Sequence, residues 1–318
     1  MSTLGWNGLR PLQTAAVEPL LDGDDALLLA PTAGGKTEAA VFPLLSAMTA
    51  GGWAAPSLLY VAPLKALLNN LLPRLEAYAG WLGRRTALWH GDVTSGTRAR
   101  LLRDPPDVLL TTPESLESML VSTKVDHYRL FGGLRAVVAD EVHAFAGDDR
   151  GWHLLAVLER LSRVAGRPLQ RVGLSATVGN PGDLLGWLQG SGAGKRPGRV
   201  VAPGVDLPAE VTSHPVLHRD QPSASGSAAS GPPPGADVQL DYVGSVDNAA
   251  RVIAALHHGE KRLVFCESRR LVEQLGAALR ARGVTTFLSH ASLAVDERRR
   301  AEQAFATSRD CVIVATST

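Results

Sequence analysis

Five short apolar runs punctuate the first part of the chain: "ALLLA" from Ala26, "SLLYVA" from Ser57, "DVLLT" from Asp107, "RAVVAD" from Arg135 and "RVGLSAT" from Arg171. Each is apolar at successive positions rather than at alternate ones, so each reads as a strand covered on both faces. Amphipathic segments with helical spacing, such as Lys36 to Met48 and Trp152 to Ala165, lie between them. Strands alternating with helices indicate βαβ units and a parallel sheet, which predicts an α/β domain over residues 1–200.

The same alternation resumes further on. A helix is expected from about Asn248 to His257, a strand at "RLVFCES" from Arg262, a helix from Leu271 to Arg282, a strand at "TTFLS" from Thr285, a helix from Asp296 to Ala306 and a last strand in "DCVIVATST" from Asp310. These form a second, incomplete βα domain over 201–318. Between the two repeats, "QPSASGSAASGPPPGA" (221–236) has no periodicity and no face to bury, so it reads as a flexible insertion. It interrupts what reads as a hairpin, "AEVTSHPVL" on one side and "VQLDYVG" on the other. "DERRRAEQAF" from Asp296 reads as a capped, solvated helix, not a basic patch.

Bulk properties exclude several classes of function. With 318 residues, 45% hydrophobic and 20% charged, the chain suits two globular domains and not a disordered segment. Its net charge of +1 means that any nucleic-acid partner is met by a local groove, not by a strongly basic surface. Cys266 and Cys311, the two cysteines, sit inside apolar runs and read as reduced core thiols. No apolar run reaches the length of a membrane span, and "MSTLGWNGLR" lacks the apolar stretch of a leader. The expected location is the cytoplasm, with no membrane contact.

"APTAGGKT" (30–37) follows "ALLLA" directly and precedes a helical pattern, the setting a phosphate-binding loop requires. Backbone N–H groups around Thr32, Ala33, Gly34 and Gly35 would surround a phosphate at a helix N-terminus. Lys36 would reach the β and γ phosphates of ATP, and the Thr37 hydroxyl would ligate Mg2+. Ala30 stands where the usual pattern has glycine. "AVVADEVHAF" ends a strand with two acids, Asp140 for the metal and Glu141 as general base or water-positioner. Two acids at a strand end are also common in solvated turns, so this pair gains its meaning from the loop.

The ordered series of motifs resembles the superfamily-2 helicases of DEAD/DEAH type, which implies tandem RecA-like P-loop domains with parallel sheets. "LRPLQ" (9–13) lies where such proteins carry an adenine-reading glutamine, here Gln13. "APLKALLNN" (62–70) and "TTPESLE" (111–117) resemble strand-contacting motifs, "DEVH" (140–143) the Walker B motif, and "SAT" (175–177) the motif coupling hydrolysis to domain movement. "LVFCESRR" (263–270) and "VIVATST" (312–318) resemble the opening motifs of the second domain. With "WHGDV" from Trp89 and "GLSATVGN", the series is most similar to the large-helicase-related, Lhr-like branch, chiefly DNA-dependent ATPases moving 3′ to 5′.

That resemblance implies single-stranded or partly duplex DNA as partner, with RNA as the alternative. It implies a coupling set of His143, Ser175 and Thr177, and a nucleic-acid track along Lys65, Thr111, Thr112, Arg269 and Thr316. Thr112-Pro113-Glu114 fits a helix start equally well. A DEAD-box RNA helicase would carry Asp where His143 stands. The family's remaining second-domain motifs, including its arginine finger, do not appear before Thr318, so the chain reads as a fragment. Loss of such a finger costs roughly 10³ to 10⁵ in hydrolysis rate, which leaves nucleotide-gated binding of a strand as the alternative activity.

Overall fold

The computed structural model describes residues 6, 8–31, 34–176, 178–203, 240–290 and 292–316. The insertion 221–236, the segment "AEVTSHPVL" and residues Thr32, Ala33 and Thr177 lie outside these. The described residues divide into two compact units, one up to 203 and one from 240.

The first unit opens with two short helices, α1 (Pro11–Ala15) and α2 (Val17–Leu21), and then alternates strand and helix. In order these are β1 (Asp25–Leu29), α3 (Lys36–Ala50), β2 (Leu58–Val61), α4 (Lys65–Gly80), β3 (Thr86–Trp89), α5 (Ser95–Arg103) and β4 (Val108–Thr111). They continue through α6 (Pro113–Val121), α7 (His127–Phe131), β5 (Ala136–Ala139), α8 (Asp149–Ala165), β6 (Gln170–Ser175), α9 (Pro181–Gln189) and β7 (Gly198–Val201). All seven strands are parallel, in the order β3-β4-β2-β5-β6-β1-β7.

Alternation along each strand builds two cores. Leu28, Tyr60, Leu110 and Val138 face the layer that includes Leu12, Leu44 and Leu71. Leu27, Leu59, Leu109 and Val137 face the layer that includes Phe131, Leu154 and Leu184. The result is a helix–sheet–helix sandwich whose β5, β6 and β1 lie side by side, so that their carboxyl ends form one edge. Strand β7 carries this sheet to Val201, one residue past the expected limit at 200.

The opposite edge is fixed by a buried carboxylate. Asp25 accepts from the Arg171 backbone N–H at 2.8 Å, from Gln189 Nε2 at 3.1 Å and from the Arg196 guanidinium twice at 3.0 Å. Removing one member of a buried pair strands the other, and Asp25→Ala is therefore expected to lower stability by about 3 kcal/mol, read by urea unfolding. A loss under about 1 kcal/mol, within the range of ordinary surface substitutions, would contradict this account.

The second unit comprises α10 (Val246–Ala255), β8 (Lys261–Cys266), α11 (Arg269–Arg280), β9 (Thr286–Ser289), α12 (Val295–Thr307) and β10 (Cys311–Thr316). Its three strands are parallel with the last in the middle, β8-β10-β9. Val312 and Val314 of β10 are buried against Val272, Leu275 and Leu279 of α11. The expected strand "VQLDYVG" is corrected over 240–244, which carry no strand. Leu240 and Tyr242 are exposed there, because alternating apolar residues form a strand only where a ladder partner and a core exist. Cys266 and Cys311 are free thiols, and burial pushes the Cys266 thiol up, away from the reactive thiolate. Among the described residues no helix is long and apolar enough to cross a membrane.

Candidate active site

The turn from β1 into α3 places Gly34 and Gly35 where no larger residue fits. A Cβ on Gly34 would stand 2.6 Å from the Ala30 Cβ and 2.9 Å from the Pro31 carbonyl oxygen. Ala30 is thus tolerated in place of glycine because Gly34 leaves room for its methyl group. Gly35 has φ +79°, a left-handed conformation, and a Cβ there would meet Gln13 Nε2 at 2.7 Å. The Gly34 N–H donates to the Pro31 carbonyl at 2.9 Å. Lys36 Nζ donates to the carbonyls of Ala30 and Pro31 at 2.7 and 3.2 Å, so its ammonium lies folded over the loop.

Gln13, on α1, is buried against this loop. Its Oε1 accepts from the Arg10 N–H at 2.9 Å and its Nε2 donates to the Gly35 carbonyl at 3.5 Å. One amide therefore ties the chain entry to the phosphate loop.

At the end of β5, Asp140 Oδ2 accepts from the Tyr60 hydroxyl at 2.7 Å and Oδ1 from the Glu141 N–H at 2.9 Å. Burial pushes the Asp140 carboxyl up, with the neighbouring Glu141 charge adding to it, while the Tyr60 and Glu141 hydrogen bonds and the Lys36 charge act the other way. Burial also raises the Tyr60 phenol well above its ordinary value, helped by Asp140 and opposed by a hydrogen bond with the Thr37 side chain. Tyr60 and Asp140 thus form one hydrogen-bonded pair at the end of β5.

Glu141 adopts φ +50° and ψ 46°, left-handed backbone that costs a non-glycine residue roughly 1 kcal/mol or more. The bend turns the chain into a 3-10 turn, Val142–Ala144, and brings Glu141 Oε2 within 3.5 Å of His143 Nδ1. His143 Nδ1 also meets Ser175 Oγ at 3.0 Å. Ser175 ends β6, and its carbonyl accepts from the Ala30 N–H at 3.3 Å. One residue therefore touches both the acidic turn and the start of the phosphate loop.

The structure brings Gln13, Gly34, Gly35, Lys36, Thr37, Asp140, Glu141, His143 and Ser175 to this edge. The donor set fits the group implied for it: hydroxyl and carboxylate oxygens for magnesium, and an ammonium with a glycine-built helix start for phosphate. Tyr60 joins them without having been singled out, its only signal being one phenol in an otherwise aliphatic strand.

The strand-contacting residues are less uniform. Lys65, at the start of α4, pairs with Asp92 at 2.9 Å on the surface. Thr111 and Thr112 both turn their hydroxyls inward. Thr111 is 0% exposed and donates to the Trp89 carbonyl at 2.8 Å, while Thr112 caps α6 by accepting from the Ser115 N–H at 3.3 Å. The helix-start reading of Thr112 is the one realised. Arg269 opens α11 in the second unit and donates to Ser292 Oγ at 2.7 Å; Thr316 ends β10.

Comparison with known proteins extends this picture. Residues 10–184 match the DEAD/DEAH box helicase family and residues 246–318 match the helicase conserved C-terminal domain. The chain is 34% identical to the Lhr helicase/uracil glycosylase of Escherichia coli (strain K12), over 93% of the chain and 20% of that protein. It thus spans about a fifth of the length of that relative. The structure of Mycobacterium smegmatis helicase Lhr bound to ssDNA and AMP-PNP superposes with a TM-score of 0.72 at 28% identity, covering 99% of the chain and 40% of that one. The fold is likewise that of Mss116p, solved with ssRNA and AMP-PNP, at a TM-score of 0.76 and 16% identity, over 99% and 61% of the two chains.

Proposed function

The chain belongs to the DEAD/DEAH box helicase family, and on that premise we propose that it is an ATP-driven helicase or translocase working on nucleic acid, DNA rather than RNA, in the 3′ to 5′ direction. Residues 1–200 form the nucleotide-binding domain and 201–318 part of the second RecA-like domain. Single-stranded or partly duplex DNA in the cytoplasm is its partner.

The observation that carries this reading is the convergence on Ser175. Its carbonyl holds the phosphate loop and its hydroxyl meets His143, which in turn reaches Glu141. Lys36 binds the β and γ phosphates, Gln13 reads adenine, and Thr37 with Asp140 holds Mg2+. Held there, the metal would offset charge on the phosphate oxygens. Glu141 orients the attacking water and accepts its proton at a carboxylate oxygen. His143 passes the state of that carboxylate to Ser175 and Thr177.

On the nucleic-acid side, Lys65 supplies a phosphate contact. Its bridge to Asp92 is half exposed and worth at most about 1 kcal/mol, so a phosphate can displace the carboxylate. Lys65→Ala is expected to weaken single-strand binding similarly for all sequences and to lower the salt slope by about one unit. Arg269 and Thr316 extend the contacts on the second domain.

ATP hydrolysis and filter binding with matched single-stranded DNA and RNA test the reading. The expected result is stimulation and ATP-dependent binding by DNA above RNA. Equal or greater response to RNA would sink the DNA assignment, and no response to either would sink the helicase reading. Duplexes tailed at one end or the other test the direction.

A further inference from the structure

The geometry points to Tyr60 as a positioning residue for the magnesium site, a buried phenol that orients one prospective protein ligand, Asp140. This inference rests on the nucleotide reading above and deepens it.

Tyr60 lies on β2, beside Val138 of β5, in a strand whose other members are Leu58, Leu59 and Val61. It is 0% exposed. A phenol buried among aliphatic residues is costly unless its hydroxyl is fully matched. Here the hydroxyl donates to the carboxylate after β5 at 2.7 Å.

The proton inventory decides the direction of each bond. A phenol has one proton and accepts with its oxygen. The carboxylate can only accept, so the phenol proton goes to Asp140 Oδ2. Asp140 Oδ1 is held by the Glu141 N–H at 2.9 Å, so the carboxylate plane is fixed at both oxygens.

With phenylalanine at position 60, the Asp140 carboxylate loses this reference at Oδ2. Groups that orient metal ligands typically govern metal affinity by about 10- to 100-fold. Phosphate binding by the loop and Lys36 does not pass through Tyr60.

The test is Tyr60→Phe in the full chain, titrated with a fluorescent ATP analogue and with MgCl2, alongside a thermal melt. The expected result is a magnesium midpoint raised about tenfold or more, with magnesium-free nucleotide affinity held within about twofold. An unchanged magnesium midpoint would overturn the inference and leave the nucleotide reading standing. A loss of the cooperative melt would also overturn it, assigning the phenol to folding. If the unaltered chain shows no magnesium-dependent nucleotide binding, the underlying reading fails first, before the variant is compared. A matched fall in affinity with and without magnesium would show a general collapse of the pocket and count against the inference.

Discussion

Lys36→Ala is expected to weaken ATP binding by about 10²- to 10⁴-fold while leaving the fold intact. In the structure the Lys36 ammonium is held by two neutral carbonyls, those of Ala30 and Pro31. Carbonyl dipoles satisfy the ammonium but do not neutralise it, so an incoming phosphate is the stronger partner. Two contacts to charged phosphate oxygens at roughly 1.5–3 kcal/mol each account for the range. Alanine suits the first turn of α3, and its methyl group has space where the Lys36 stem now lies, so stability should change by less than about 1 kcal/mol. Binding of a fluorescent ATP analogue, with a thermal melt beside it, checks both halves. Affinity retained within about tenfold would mean that the loop does not hold the triphosphate as read.

How far this site could be read from sequence depended on whether its parts are contiguous. The five strands covered on both faces are near-continuous aliphatic runs and were legible. Strands β3 (Thr86–Trp89) and β7 (Gly198–Val201) were not, because each is an edge strand with exposed or half-exposed positions that blur its pattern. The glycine-lysine loop and the paired acids each lie within a few residues, so each pattern is visible in the sequence directly. The contact between Tyr60 and Asp140 spans 80 positions, and no local pattern announces it. Thr111 adds a different point: its residue type suits a phosphate contact, while a strand buried on both faces turns its last side chain inward. Only the register of β4 against β3 decides that orientation.

Glu141→Gln is expected to separate the two functions that Lys36 joins. Hydrolysis should fall by about 10²- to 10⁴-fold, the usual contribution of a positioned general base, while ATP affinity stays within about threefold. Glutamine preserves the shape and the backbone N–H that holds Asp140 Oδ1 at 2.9 Å, so the metal site keeps its orientation. What disappears is the acceptor for the water proton. The left-handed backbone at Glu141 supports this assignment, since a non-glycine residue keeps φ +50° only where the surroundings compel it. Here they do: the Asp140 N–H is tied to the Val61 carbonyl at 2.7 Å and the Ala144 N–H to the Glu141 carbonyl at 2.8 Å. The strained turn aims the carboxylate toward His143, whose other contact is Ser175. A second comparison follows from that chain of contacts. His143→Ala should leave hydrolysis closer to normal than Glu141→Gln does, yet reduce the effect of bound nucleotide on single-strand affinity, because it cuts the link to Ser175 without removing the base. Hydrolysis by Glu141→Gln equal to that of the unaltered chain, measured at saturating ATP and DNA, would require another residue to take the proton and would move the base away from the end of β5.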